Sequence, residues 1–203
     1  MCHAILQDLA FFRLLTRIDA EYAEQTRRDR CPRCKGPLHV SDYPRKPRGC
    51  PEAVRQEYSS RLSFTCGRCE KRTTPASVRF LARRVYVALA LILVLPSGRC
   101  APGVIEGLPA VSARTVKRWR RWWQRDFQRT AFWRSVRAHV MPPVAAEALP
   151  CSLRERFQGP SDRERLEQLL RFICPLSTAS LIKKIKGLAA VVGFPQRMSM
   201  QPG

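Results

Sequence analysis

The chain has 203 residues, with 37 Lys or Arg against 16 Asp or Glu, a formal charge of +21 and a pI near 10.8. That excess makes a polyanion the expected partner, and the length leaves room for one ordinary domain or two small modules and a tail. Nine cysteines, an odd number, exclude a disulfide framework that pairs every thiol.

Met1–Asp8 lacks the basic n-region and cleavage pattern of a signal peptide, and two paired Cys-x-x-Cys turns favour a reducing compartment, so a cytoplasmic setting is expected. Residues 4–26 predict an amphipathic helix. Ile5, Leu6, Leu9, Phe12, Leu15, Ile18 and Tyr22 recur at three- and four-residue steps, with Asp8, Arg13, Arg17 and Glu21 between them. Such a helix packs on the module that follows it.

That module opens on Cys31-Pro-Arg-Cys34 and closes on Cys66-Gly-Arg-Cys69. Each turn can aim two thiolates at one ion, and together they supply the four sulfurs of a closed tetrahedral site. One structural Zn2+ is the expected cofactor. The competing readings, two disulfides or four unrelated buried thiols, fit the paired spacing less well. Leu38–Val40 predicts a short strand, Tyr43–Gly49 a basic loop, and Arg61–Cys66 a strand leading into the second turn. The layout is that of a zinc ribbon, in which metal substitutes for a core too small to hold itself. His39 and Cys50 lie in the loop as alternative ligands, but four cysteines already complete a site. Cys2, Cys100, Cys151 and Cys174 show no ligand spacing and read as buried small apolar residues.

Val85–Leu95 is apolar but falls well short of the roughly 20 residues that a membrane span requires, so a buried core helix is expected. A short helix between Pro102 and Leu108 precedes a long one that Ser112 caps and that runs to about Arg129 or beyond. At about 100° per residue, Val116, Trp119, Trp123 and Phe127 share one face. Arg114, Arg118, Arg121 and Arg125 share the opposite one. Asp126 is the sole acid between Ser112 and Arg137. Aligned guanidinium groups repel one another unless a polyanion lies alongside, which points to nucleic acid.

The stretch Val111–Trp119 resembles the start of the recognition helix in helix-turn-helix proteins. That resemblance implies that Ala113, Arg114, Lys117 and Arg118 face the major groove and that Ser112 and Thr115 hold phosphate. The chain departs from the pattern before the turn. Pro102, Gly103, Gly107 and Pro109 shorten its second helix, and the turn is about one residue longer than usual. A four-cysteine ribbon, Arg-Thr-Thr-Pro-Ala-Ser-Val at 72–78, an apolar helix and this helix-turn-helix resemble, in that order, the N-terminal DNA-binding module of insertion-sequence transposases. The likeness covers residues 30–130. It implies double-stranded DNA as partner, with a separate transposase or recombinase beside it. Backbone tracking then falls to Arg45, Lys46 and Arg48 of the ribbon, with Arg68, Lys71 and Arg72.

Residues 141–150 read as a linker, Asp162–Ile173 as an amphipathic helix, Leu181–Gly187 as a short helix, and the end from Gln196 as disordered. The expected fold is mainly α with a small β zinc ribbon. Its parts are an N-terminal helix (1–30), the ribbon (31–77), a helix-turn-helix-like unit (78–138), a linker (139–160) and a loosely ordered helical tail (161–203). No catalytic constellation is found. The carboxylates needed for a two-metal nuclease core are too few after Phe127, the three histidines are scattered, and all four tyrosines precede residue 87. The expectation is a DNA-binding accessory or regulatory protein, or a remnant, that is not an enzyme. The alternative is a zinc module for RNA or protein, with Trp122 and Trp133 facing the partner.

Overall fold

The computed structural model describes residues 4–81, 87, 88, 92 and 111–178. A 3-10 turn, Ala4–Gln7, leads to Asp8, whose carboxylate accepts the Phe11 amide at 3.0 Å and caps α1 (Leu9–Arg28). The cap satisfies an amide that a helix start otherwise leaves open. Phe11, Phe12, Leu15 and Ile18 bury one side of α1, and Asp19 lies fully buried among them.

The chain then forms β1 (Leu38–Val40), β2 (Tyr43–Pro44), β3 (Ser60–Arg61), β4 (Phe64–Cys66) and β5 (Arg72–Thr73). β1, β4 and β5 make an antiparallel sheet in that order, with Leu38 opposite Cys66 and Phe64 opposite Thr73. β2 pairs separately with β3, Tyr43 opposite Arg61. The strand expected over Arg61–Cys66 is therefore split. At Ser63 the amide turns away to the Asp42 carboxylate at 2.8 Å, which interrupts the strand between its two partners. β2 lies in what the sequence presented as a loop, and the Arg45 amide continues its ladder by donating to Ser59 O at 2.6 Å.

The second half is helical: α2 (Ala113–Arg121), a π-helical turn (Trp122–Asp126), a 3-10 turn (Phe127–Arg129), α3 (Ala131–Val136), α4 (Cys151–Arg154) and α5 (Asp162–Ile173). Ser112, Thr130 and Ser161 cap α2, α3 and α5 through their hydroxyls. One apolar cluster runs from Ile5 to Leu176 and joins α1 to all of these helices. Of the run Val85–Leu95, the described residues Val87, Ala88 and Ile92 are buried in that cluster. Among the described residues no helix is long and apolar enough to cross a membrane.

Two expectations about the C-terminal third need correction. The supposed linker buries Val140, Leu149 and Leu153 in the main cluster, Cys151 is buried as well, and Ser152 Oγ donates to Ala145 O at 2.6 Å. Its proline-rich composition hid anchors spaced too irregularly to show a period. α5 is a core helix rather than part of a loose tail. Leu166, Leu169, Leu170, Phe172 and Ile173 are buried, the Phe132 and Phe172 rings meet edge-on at 5.2 Å, and Arg163 pairs with Asp8 of the first cap. The helix expected at Leu181–Gly187 and the end from Gln196 lie outside the described residues.

Asp19 ties these parts together. Its carboxylate accepts from Ser77 Oγ at 2.5 Å, the Val78 amide at 2.7 Å and Arg79 Nε at 2.8 Å, with Arg61 Nη1 at 3.9 Å. Arg79 also donates to Glu57 O at 2.7 Å and Arg61 to Pro75 O at 2.6 Å. The Ser77 amide donates to Ser177 Oγ at 2.9 Å, which brings the segment after α5 into the same network. Burial pulls the Arg61 guanidinium below its ordinary pKa, and the Asp19 charge opposes that shift. Replacing Asp19 with Ala leaves two buried guanidinium groups without their anion. The expected loss is about 3–5 kcal/mol in urea unfolding. Arg13→Ala breaks only the exposed pair with Glu57 and is expected to cost under about 1 kcal/mol in the same assay.

Candidate metal centre and basic face

The two cysteine turns are built alike. In the first, the Cys31 amide donates to Gly36 O at 3.0 Å and the Lys35 amide to Cys31 O at 2.9 Å. In the second, the Cys66 amide donates to Lys71 O at 3.1 Å and the Glu70 amide to Cys66 O at 2.9 Å. Lys35 and Glu70, at matching positions, both take left-handed backbone with φ of 59° and 56°. Non-glycine residues adopt that region only where surrounding bonds hold them there.

The turns place their sulfurs face to face. Cys31 Sγ lies 3.6 Å from Cys69 Sγ, Cys34 Sγ lies 3.4 Å from Cys66 Sγ, and all four fall within 4.8 Å of one another. A tetrahedral ion with metal–sulfur bonds of about 2.3 Å requires edges of about 3.8 Å. The residues therefore fit a closed four-sulfur site, and no ligand position remains for an activated water. Ala23, Leu38 and Phe64 pack around Cys31 and Cys66 as a small second cluster.

Local hydrogen bonds prepare the sulfurs unequally. The Arg33 and Cys34 amides hold the Cys31 thiol down at about 6, and the Cys69 amide lowers Cys66. The Gly36 amide pulls on Cys34 in the same direction. Burial and the neighbouring sulfurs outweigh it and hold Cys34 at about 12. A bound cation would relieve that opposition, because metal ligation needs thiolates.

Gly36 and Gly67 let the turns close. A Cβ at Gly36 would meet Arg68 Cβ at 2.7 Å and Cys66 Sγ at 2.9 Å. A Cβ at Gly67 would meet His39 Nε2 at 2.6 Å. His39 itself is exposed outside the sulfur cluster. Cys50 is buried in the main cluster, where burial pushes its thiol up to about 12. Among the described residues, neither belongs to the metal-ligand group. Cys151 and Cys174 are buried as expected, while Cys2 and Cys100 lie outside the described residues.

α2 carries the basic face. Val116, Trp119, Trp123 and Phe127 are all buried, and Arg114, Lys117, Arg118, Arg121 and Arg125 are all exposed. Among the described residues no carboxylate pairs with Arg114, Lys117, Arg121 or Arg125. Ser112 is exposed, but its hydroxyl accepts the Thr115 amide at 3.3 Å as a cap. Thr115 does not keep its expected place as a phosphate contact. It is buried, and its hydroxyl lies 3.2 Å from Ser112 Oγ. The helix and turn expected just before residue 111 lie outside the described residues. Trp133 is likewise corrected: it is buried 5.0 Å from the Phe127 ring, not on a partner face.

On the sheet side, Lys46, Arg48, Arg68, Lys71 and Arg72 are exposed and Arg45 is half-buried. Tyr43 aligns two of them: Arg45 lies 4.7 Å and Arg72 5.3 Å from its ring centre. Arg45 also donates to the Tyr43 hydroxyl at 3.1 Å, and Arg72 to Ser41 O at 3.3 Å. Reading the sequence did not single out Asp19, Arg61 or Arg79. The available signal was an acid one turn after Leu15, inside the apolar stripe of α1.

No protein family, curated protein or solved structure matches the chain. The metal centre is testable on its own terms. Gly36→Ala is expected to weaken metal retention about 10- to 100-fold, the range seen when groups supporting a ligand shell are disturbed. Competition against a chromophoric chelator measures it.

Proposed function

We propose that this chain is a zinc-stabilised protein that binds double-stranded DNA. In this reading the four-cysteine sheet is a zinc ribbon and α2 is the recognition helix. The observation that carries it is the exposed row Arg114, Lys117, Arg118, Arg121 and Arg125, backed by the buried seam of Val116, Trp119, Trp123 and Phe127. A helix so anchored presents its guanidinium groups from a fixed backbone, and their planar forks suit bidentate contacts to guanine edges and phosphates. Ser112 remains beside them at the helix start. Arg45, Lys46 and Arg48 add a second basic surface, and Tyr43 holds Arg45 in a fixed direction.

With all four ligand positions taken by Cys31, Cys34, Cys66 and Cys69, the metal has a structural role. The ordering of ribbon and basic helix supports an accessory or regulatory protein of the transposase type, working in the cytoplasm or on the nucleoid beside a separate transposase or recombinase. The RNA or protein-interaction reading loses one of its two residues with the burial of Trp133.

Metal analysis is expected to find about one zinc per chain, as four sulfurs around one ion require. Duplex affinity is expected to fall with salt, with a log–log slope of about −4.5 if each of the five cations Arg114, Lys117, Arg118, Arg121 and Arg125 neutralises one phosphate. A flat salt response sinks the phosphate-contact model. Arg114→Ala and Arg118→Ala are each expected to cost about 1–3 kcal/mol on a preferred site. Competition by structured RNA that matches or exceeds duplex DNA would favour the other reading.

A further inference from the structure

We infer that Trp122 is a stacking site for an unpaired nucleobase, so that the preferred ligand is DNA containing a short single-stranded element rather than continuous duplex. The inference rests on the nucleic-acid reading of α2 and specifies what that face takes. Of the four tryptophans, Trp119, Trp123 and Trp133 are buried at 2%, 0% and 7% exposure, and Trp122 alone is half-buried, one side packed against the main cluster.

Its position is the product of a local irregularity. The Phe127 amide donates to Trp122 O, five residues back, and Trp122–Asp126 forms a π-helical turn. In a regular α-helix, residues five apart point about 140° away from each other. The widened turn instead brings the Trp122 and Phe127 rings to 5.6 Å and leaves Trp122 at 4.8 Å from Trp123. Such turns mark functional sites more often than ordinary helix does. The Trp122 ring is inclined 73° to Trp123 and 57° to Phe127, so neither aromatic neighbour is stacked flat against it. It is braced but not sandwiched.

Cations flank this indole in the sequence. Arg118, Arg121 and Arg125 are exposed one turn before it, next to it and one turn after it, and Asp126 is the one acid nearby in the sequence. A planar aromatic surface on the same short stretch of helix as exposed arginines matches a strand whose base stacks while its flanking phosphates meet the cations. A paired base inside a duplex has both faces covered by its neighbours. A gap, bulge or frayed end exposes one.

The test uses the full chain and two DNAs of equal length, an intact duplex and the same duplex with a three-nucleotide single-stranded gap, with affinity read by fluorescence anisotropy at fixed salt. The expected wild-type preference for the gapped DNA is about 5- to 100-fold. Trp122→Leu keeps an apolar contact with Trp123 and Phe127 and is expected to abolish that preference while leaving affinity for intact duplex unchanged. Trp122→Phe, which keeps a ring, is expected to retain most of it. As a second readout, gapped DNA is expected to quench wild-type tryptophan emission and to lose that effect in Trp122→Phe. No gap preference in the wild type overturns the inference, as does a preference that survives in Trp122→Leu or an equal loss on both DNAs. Salt-dependent duplex binding without gap preference removes this inference alone. Failure to bind either DNA removes the function proposed above as well.

Discussion

A carboxylate that is fully buried must find donors, and Asp19 finds them in segments far apart in the chain. Apolar packing is non-directional, so Phe12, Leu15 and Ile18 alone would tolerate several placements of α1 against the rest. The carboxylate does not. It accepts from Ser77, Val78 and Arg79 at 2.5, 2.7 and 2.8 Å, with Arg61 of β3 beside it. The cost of removing these charges from water is offset only while this geometry is kept. One contact therefore orients the N-terminal helix, the end of the sheet and, through Ser177, the segment that follows α5.

The cysteine cluster solves a different problem in the same region. The sheet has strands of two or three residues, and a hydrophobic cluster of Ala23, Leu38 and Phe64 around Cys31 and Cys66 is too small to hold it. A metal ion held by the four sulfurs would replace the missing core. The two turns share one pattern of backbone hydrogen bonds, so the ligand set is arranged by the backbone before any ion adds its own energy. The Asp19 network then connects this small unit to the large helical cluster, which makes the basic surfaces of sheet and helix parts of one scaffold.

α2 shows how far a linear pattern goes. The apolar seam and the arginine row follow from a repeat of about 3.6 residues, and both sit where that repeat puts them. The π-helical turn does not follow from it. Two adjacent indoles and Phe127 compete for one apolar surface, and a widened turn admits all three rings. Thr115 went astray for a related reason. Its residue type suits a phosphate contact, but its place next to Val116 turns it inward, and Ser112 takes up its hydroxyl.

The sequence alone determined what depends on short spacing. The metal-ligand set follows from two Cys-x-x-Cys turns, the helix starts at Ser112 and Ser161 from capping hydroxyls, and the two-sided character of α2 from its periodicity. Tertiary structure decided what depends on residues meeting across long intervals. Asp19, Arg61 and Arg79 carry no shared pattern that singles them out in the sequence and become a buried network only when α1, β3 and residues 77–79 converge. Val140, Leu149 and Leu153 have no period, and their burial exists only because the chain folds them into the same cluster as Leu166, Leu169 and Phe172. A local pattern reports the forces between near neighbours. The burial of a charge or an irregular apolar residue depends on which distant segment covers it, and no spacing in the chain records that.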